Sequence, residues 1–231
     1  MKNEETVLSE REKILARVRE ALKAPVPSPV SHGHVLPPAA AYPARQWLPK
    51  VGETFDDQLA LFAKNAAELK ADFQLLNSAD EMCQALVRLR DTAGWRRVAG
   101  HSGDLTNAVC PALNLPLLRT DRAYDVHELE ACDVGISECD ALIAQTGSVL
   151  VTNRSAGGRA LSVLPPHHVV LARREQLVAD LPAAFELLQQ KYAENYPSMI
   201  SFITGPSRTG DIERILVLGA HGPKRLTIFC L

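Results

Sequence analysis

Residues 133–152 read DVGISECDALIAQTGSVLVT. Three apolar runs, DVGIS, ALIAQ and GSVLVT, follow one another with short polar breaks, leaving no room for the long helix that a parallel crossover needs. Strands adjoining in this way turn back on each other, so part of the sheet is expected to be mixed. On either side, helical patterns alternate with short apolar strands. Upstream, FDDQLALFAKNAAELKA (55–71) reads as a helix, FQLL (73–76) as a strand and SADEMCQALVRLRDTA (78–93) as a helix. Ser78 opens the latter as its cap, with Glu81 three positions on to complete a capping box. WRRVAG (95–100) is a short strand ending at glycine, followed by a helix-like DLTNAVCPAL (104–113). Downstream come the strand HHVVLA (167–172), the long helix REQLVADLPAAFELLQQKYA (174–193), the strand MISFIT (199–204) and a closing strand, RLTIFCL (225–231). The pattern predicts an α/β sandwich, with a mostly parallel or mixed sheet flanked by helices.

The first 50 residues differ in composition. Val7, Ile14, Leu15, Val18 and Leu22 recur at helical spacing among Glu, Lys and Arg, the pattern of an amphipathic helix. The proline-dense stretch 24–49 after it can neither continue a helix nor enter the interior of a sheet. The expected organisation is an arm over residues 1–50 and an α/β domain over 51–231. The arm is either a flap on its own domain or a surface that docks a partner or a second copy.

Charge and cysteine usage narrow the function classes. With 25 Lys and Arg against 27 Asp and Glu, the net charge of −2 offers no general field for nucleic acid or an anionic membrane. No apolar run approaches the roughly 20 residues that span a bilayer, and the charged start MKNEETVLSEREK is unlike a signal peptide, so a cytoplasmic location is expected. The five cysteines, Cys83, Cys110, Cys132, Cys139 and Cys230, are odd in number and contain no Cys-x-x-Cys pair. That argues against a disulfide framework, a zinc finger or an iron–sulfur cluster held by this chain. Cys132 and Cys139 flank a turn-like segment and could meet in space.

In an open α/β sheet, ligands collect beyond the carboxyl ends of the strands. The segments that follow predicted strands are GHSGD (100–104), SECD (137–140), QTGS (145–148), NRSAGGR (153–159) and TGPSRTGD (204–211). Glycine beside Ser, Thr or Asn presents backbone N–H groups to an anion, and also makes any tight turn. The ligand-binding candidates are Gln145, Thr146, Gly147, Ser148, Arg159, Thr204, Gly205, Ser207, Arg208 and Thr209, with Arg159 and Arg208 as bidentate cations. Glu138 and Asp211 are candidate bases and His221 a candidate acid or base, alongside His101 in a similar glycine-containing loop. Vicinal His167 and His168 face opposite ways on a strand and cannot both ligate one metal; no metal site is expected. GPSRTGDI (205–212) has the glycine spacing of a P-loop, but Asp211 and Ile212 replace its Lys and Ser or Thr, which argues against ordinary nucleotide chemistry. Its structural reading makes Ser207 or Thr209 the cap of a short helix, with Asp211 in the first turn.

ALIAQTGSVLVT, RALSVLPPHHVVLA and ISFITGPSRTGDIERILVLGAHGPKRL closely resemble the LUD-domain family of lactate-utilisation protein C and YkgG-like proteins. The resemblance covers most of residues 55–231 and is most specific in TGPSRTxDIE followed by GxHGP. It implies a fold like that of glucosamine-6-phosphate deaminase, ribose-5-phosphate isomerase and coenzyme A transferases. It also implies a part in oxidising L-lactate to pyruvate beside two partner proteins carrying iron–sulfur clusters. Coenzyme A transferases of that superfamily use a glutamate in Glu-Asn-Gly, and LUD proteins commonly have Glu-Thr-Gly at the related place. Here it is Gln145-Thr146-Gly147, whose amide can neither form an acyl anhydride nor act as a base. Three readings follow: a subunit of a lactate-oxidising system that holds a small anion or organises its partners, a free-standing enzyme on a sugar phosphate or acyl compound, or a dimeric scaffold without catalysis.

Overall fold

The computed structural model describes residues 10–21, 23, 49–209, 217–218 and 221–231. The chain divides into two units, Met1–Trp47 and Leu48–Leu231. In the first, α1 spans Glu10–Ala21, and Ile14 and Val18 are 60% and 49% exposed. Val7, Leu22 and residues 24–48 lie outside the described residues.

The second unit begins with α2 (Phe55–Glu68), capped by Thr54 and burying Phe62 and Ala66, and leads into β1 (Asp72–Leu75). In α3 (Ala79–Ala93), the Ser78 hydroxyl accepts from the Glu81 N–H at 3.1 Å. The Glu81 carboxylate accepts from the N–H of Asn77 at 2.8 Å, so the returning arm of the capping box reaches one residue beyond the cap. Then follow β2 (Val98–Gly100), α4 (Asp104–Val109), a 3-10 turn (Cys110–Leu113), β3 (Leu117–Arg119), α5 (Val126–Glu130) and β4 (Val134–Glu138). β5 (Ala141–Ile143) and β6 (Ser148–Thr152), both within the 133–152 stretch, pair as an antiparallel hairpin, followed by β7 (His167–Ala172).

The long helix expected over 174–193 is shorter. Arg174–Gln176 make a 3-10 turn, Leu177–Val178 form β8, and α6 runs from Leu181 to Tyr192. Asp180 caps it by accepting from the Ala183 N–H at 2.9 Å. Pro182 sits in the first turn, where its missing N–H costs nothing but from which the helix cannot be extended backward. β9 (Ile200–Ile203), β10 (Arg208–Thr209), β11 (Val217–Leu218) and β12 (Arg225–Cys230) complete the unit.

β1, β12, β7, β4, β2 and β3 lie side by side in that order, every pairing parallel. The mixed pairing expected within one sheet instead belongs to a second sheet, β8-β5-β6-β9, in which β5–β6 and β6–β9 are antiparallel and β5–β8 parallel. Side-chain alternation along β7 shows how the layers form: Val169 and Leu171 join one core with α3 and α4, while Val170 and Ala172 join another with α2 and the second sheet. Both faces are covered, which is why all six β7 residues are buried. Cys132 and Cys139 lie in different core clusters, and all five cysteines are free thiols. Among the described residues no helix is long and apolar enough to cross a membrane.

Candidate functional site

The order in which the chain adds strands to the parallel sheet reverses between β2 and β4. From β2 the chain moves outward through α4 to the edge strand β3, whereas from β4 it passes to β7 on the other side. Such a switch point leaves a crevice at the strands' carboxyl ends. His101 follows β2 and Glu138 ends β4, and the two meet there. The backbone N–H of Glu138 donates to His101 Nε2 at 3.1 Å, so that nitrogen carries no proton. His101 is 4% exposed, and burial lowers its pKa in spite of the raising influence of the Glu138 carboxylate. Glu138 Oε1 accepts from the N–H groups of Leu105 and Thr106 at 3.0 and 3.1 Å and from the Thr106 hydroxyl at 3.2 Å, closing the start of α4.

Neighbouring loops lock this pair. The Arg119 guanidinium donates to the His101 carbonyl. Ser102 donates its N–H and hydroxyl to Asp121 at 3.0 and 2.8 Å, and the hydroxyl bond is the chief reason that the Asp121 carboxyl lies below its usual value. Thr120 donates to the Gly157 carbonyl at 2.6 Å. A Cβ on Gly103 would stand 2.1 Å from Glu138 Oε1, so only glycine admits the carboxylate at this distance. With its acceptor nitrogen occupied by backbone, His101 positions Glu138 rather than offering itself as a base.

The predicted ligand loops do not share one cleft. NRSAGGR reaches the switch point through Gly157, but QTGS and TGPSR lie toward the amino ends of the parallel strands. There Gly205 packs on Leu69, between α2 and β1, and the Ser207 N–H donates to the carbonyl of Pro223, just before β12, at 2.9 Å. Ser148 and Thr204 join their hydroxyls at 2.8 Å, bringing the two loops together. Gln145 donates its amide N–H to the Pro49 carbonyl at 2.9 Å, whereas Gln145 Oε1 and Thr146 Oγ1 are buried and have no hydrogen-bond partner among the described residues. Gly147, at φ +64, packs against Asn65 and Ala66. Arg208 is exposed, with its guanidinium near Gly205. Ser207 does not cap a helix, because Arg208 and Thr209 pair with Leu218 and Val217 as an antiparallel ribbon. Thr209 as a cap, and Asp211, depend on residues 210–216, outside the described residues.

Arg159 donates to the Ser198 carbonyl at 2.8 Å and ties loops together. His221 is exposed on a concave surface of about 320 Å³ with Glu130 and Lys224. It does not approach Glu138. Arg225 stands level with His167, and Gly135 with His168, so Glu138 lies roughly 13 Å farther along at about 3.3 Å per residue.

One polar centre escaped the reading of spacing. Asp140, 3% exposed, accepts from Lys191 Nζ at 2.6 Å, Tyr192 at 2.7 Å and Ser155 at 2.6 Å. Arg154 and Lys191 lie 5.2 and 5.3 Å from the Tyr192 ring centre. Asp140 and Ser155 fall within flagged loops, but no local pattern pairs them with the end of a helix 51 positions away. Among the described residues no group of three or more His, Cys, Asp and Glu is placed to hold a metal ion.

The LUD domain family model matches residues 59–231. The chain belongs to the LUD-domain family. Lactate utilization protein C 1 of Bacillus mycoides (strain KBAB4) is 36% identical over 107 residues, 46% of each chain. Lactate utilization protein C of Deinococcus radiodurans is 31% identical over 117 residues, 50% of this chain and 54% of that one. The matched stretch thus spans about half the length of these curated relatives. A crystal structure of a DUF162 family protein from Deinococcus radiodurans superposes with a TM-score of 0.60 at 22% identity, covering 78% of this chain and 99% of that chain, and shares the fold. In this LUD domain, the family-like TGPSRT and HGP segments meet each other through Ser207 and Pro223, while the Gln145 turn joins them through Ser148 and Thr204.

Proposed function

We propose that this chain is a component of a cytoplasmic L-lactate utilisation system, in which L-lactate is oxidised to pyruvate with two iron–sulfur partner proteins. Its part is to bind a small anion and organise those partners. The names of its relatives support the pathway, and one arrangement supports the anion: the Ser148–Thr204 bond sets the Gln145 turn beside the loop carrying Arg208. An arginine grips a carboxylate bidentately, a threonine hydroxyl can donate to it, and an amide oxygen can accept from an α-hydroxyl. Arg208 offers the first of these functions at the surface, Thr146 and Gln145 carry groups of the other two kinds, buried, in the adjoining turn, and a 2-hydroxy acid presents their complement. Because Gln145 is not a carboxylate, coenzyme A transfer is not part of this reading. Iron–sulfur clusters are assigned to the partners, since the five cysteines of this chain are widely spaced and contain no Cys-x-x-Cys pair.

The test pairs growth with binding. A deletion strain should fail to grow on L-lactate, recover with the wild-type gene, and stay impaired with Arg208→Ala. Calorimetry should show L-lactate binding weakened about tenfold or more in that variant, as expected for loss of a charged hydrogen bond worth about 1.5–3 kcal/mol. Normal growth after deletion, or unchanged affinity in Arg208→Ala, contradicts the reading.

Self-association through α1 is a second reading, motivated by the exposure of Ile14 and Val18. Light scattering should then show a dimer for the full chain and a monomer when residues 1–50 are removed. A monomeric full chain rules it out.

A further inference from the structure

A buried imidazole in the LUD domain has one nitrogen without a partner. His168, on β7, is 1% exposed; its Nε2 lies 2.8 Å from Ser137 Oγ, and its Nδ1 is buried and has no partner among the described residues. Ser137 is itself fully buried, and His168 is the partner that its hydroxyl has among the described residues. A buried hydroxyl places its proton on an acceptor, and the ring nitrogen fills that role. The unprotonated nitrogen is then Nε2, so Nδ1 carries the ring's N–H. Burial, chiefly, lowers the His168 pKa to about 3, which keeps the ring neutral at ordinary pH.

The same histidine lines a cavity of about 20 Å³ with Ser162, Ser207, Pro223 and the aliphatic Ile203 and Leu226, among others. That exceeds the roughly 10–15 Å³ needed for one water molecule and leaves no room for a metabolite. Its walls include both TGPS and HGP, which the Ser207–Pro223 bond draws together. Ser162 and Ser207 bring polar residues to a lining that is otherwise mainly apolar. An unpaired N–H beside a water-sized cavity, with serines in its walls, is a setting in which internal water is retained.

We propose that this cavity binds a single water molecule, which accepts the His168 Nδ1 proton and donates its own protons to the TGPS and HGP loops. The water ties those two loops to the central strand β7, and hence sets the base from which Arg208 projects. The site is independent of lactate binding and stands or falls separately from it.

A crystal structure of the full chain should show an ordered water about 2.7–3.2 Å from His168 Nδ1. An empty cavity, or a protein acceptor on that nitrogen, overturns the proposal. In solution, long-range proton–nitrogen correlation on the wild-type protein should find the Nδ1–H tautomer; the Nε2–H tautomer also overturns it. Ser137→Ala removes the donor that fixes the tautomer, so the ratio should move toward Nε2–H. An unchanged ratio in that variant contradicts the role given to Ser137, and the wild-type measurements decide the matter should the variant fail to fold.

Discussion

Replacing Asp140 with alanine is expected to lower unfolding free energy at pH 7 by about 2–3 kcal/mol, because Tyr192 and Ser155 lose their acceptor in a buried setting. The Lys191 side chain is 50% exposed, so its ammonium can turn to water and does not become a stranded charge. For that reason the loss falls below the roughly 3–5 kcal/mol seen when a fully buried ion pair is broken. Lys191→Met should cost about 1 kcal/mol or less, since Asp140 keeps two hydroxyl donors. Burial alone would raise the Asp140 carboxyl; hydrogen bonds from Lys191, Ser155 and Tyr192 outweigh it and hold the pKa below its ordinary 3.8. A carboxyl depressed in the folded state contributes stability in full above its unfolded pKa, and loses it as pH falls through the folded one. Urea titrations should therefore show the gap between wild type and Asp140→Ala shrinking from pH 5 to pH 3. A pH-independent gap, or a Lys191→Met cost equal to that of Asp140→Ala, would falsify this account.

The contrast between Asp140 and the sheet shows what sequence can reveal. β4, β7 and β12 are legible because strands covered on both faces read as continuous apolar runs. β3 has three half-buried residues after Pro116, and β8 has two, too short for any period to register. The QTGS and TGPSR loops could be chosen by composition, and the structure joins them. Their direction could not be chosen, because a strand's carboxyl end is a common landmark only within one sheet, and β5, β6 and β9 belong to another. The His101–Glu138 contact spans 37 positions, and Asp140–Lys191 spans 51; both depend on strand order, which no local pattern encodes. The Ser207 cap expected after Gly205 failed on a tertiary fact, the pairing of Arg208 and Thr209 with a strand beyond position 216.

Gly157→Ala is expected to be more damaging still, by about 3–4 kcal/mol, adding a left-handed backbone cost of about 1–2 to an overpacking cost of about 1–3. Gly157 has φ +62, and its Cβ would stand 2.2 Å from His101 Cβ, 2.7 Å from Cγ and 2.8 Å from Thr120 Oγ1. None of these atoms can swing aside: His101 is held by its bond to Glu138, and Thr120 by its bond to the Gly157 carbonyl. Gly94 separates the two contributions. It ends α3 at φ +69 with nothing within 4 Å of a new Cβ, so Gly94→Ala should cost only about 1 kcal/mol. The excess in Gly157→Ala measures how tightly the switch point is packed. It should also appear locally, as faster amide exchange at Glu138, Leu105 and Thr106, whose N–H groups depend on His101 and the Glu138 carboxylate. Equal costs for the two alanines, with exchange at those amides unchanged, would mean that the crevice between β2 and β4 is loose enough to admit a methyl group.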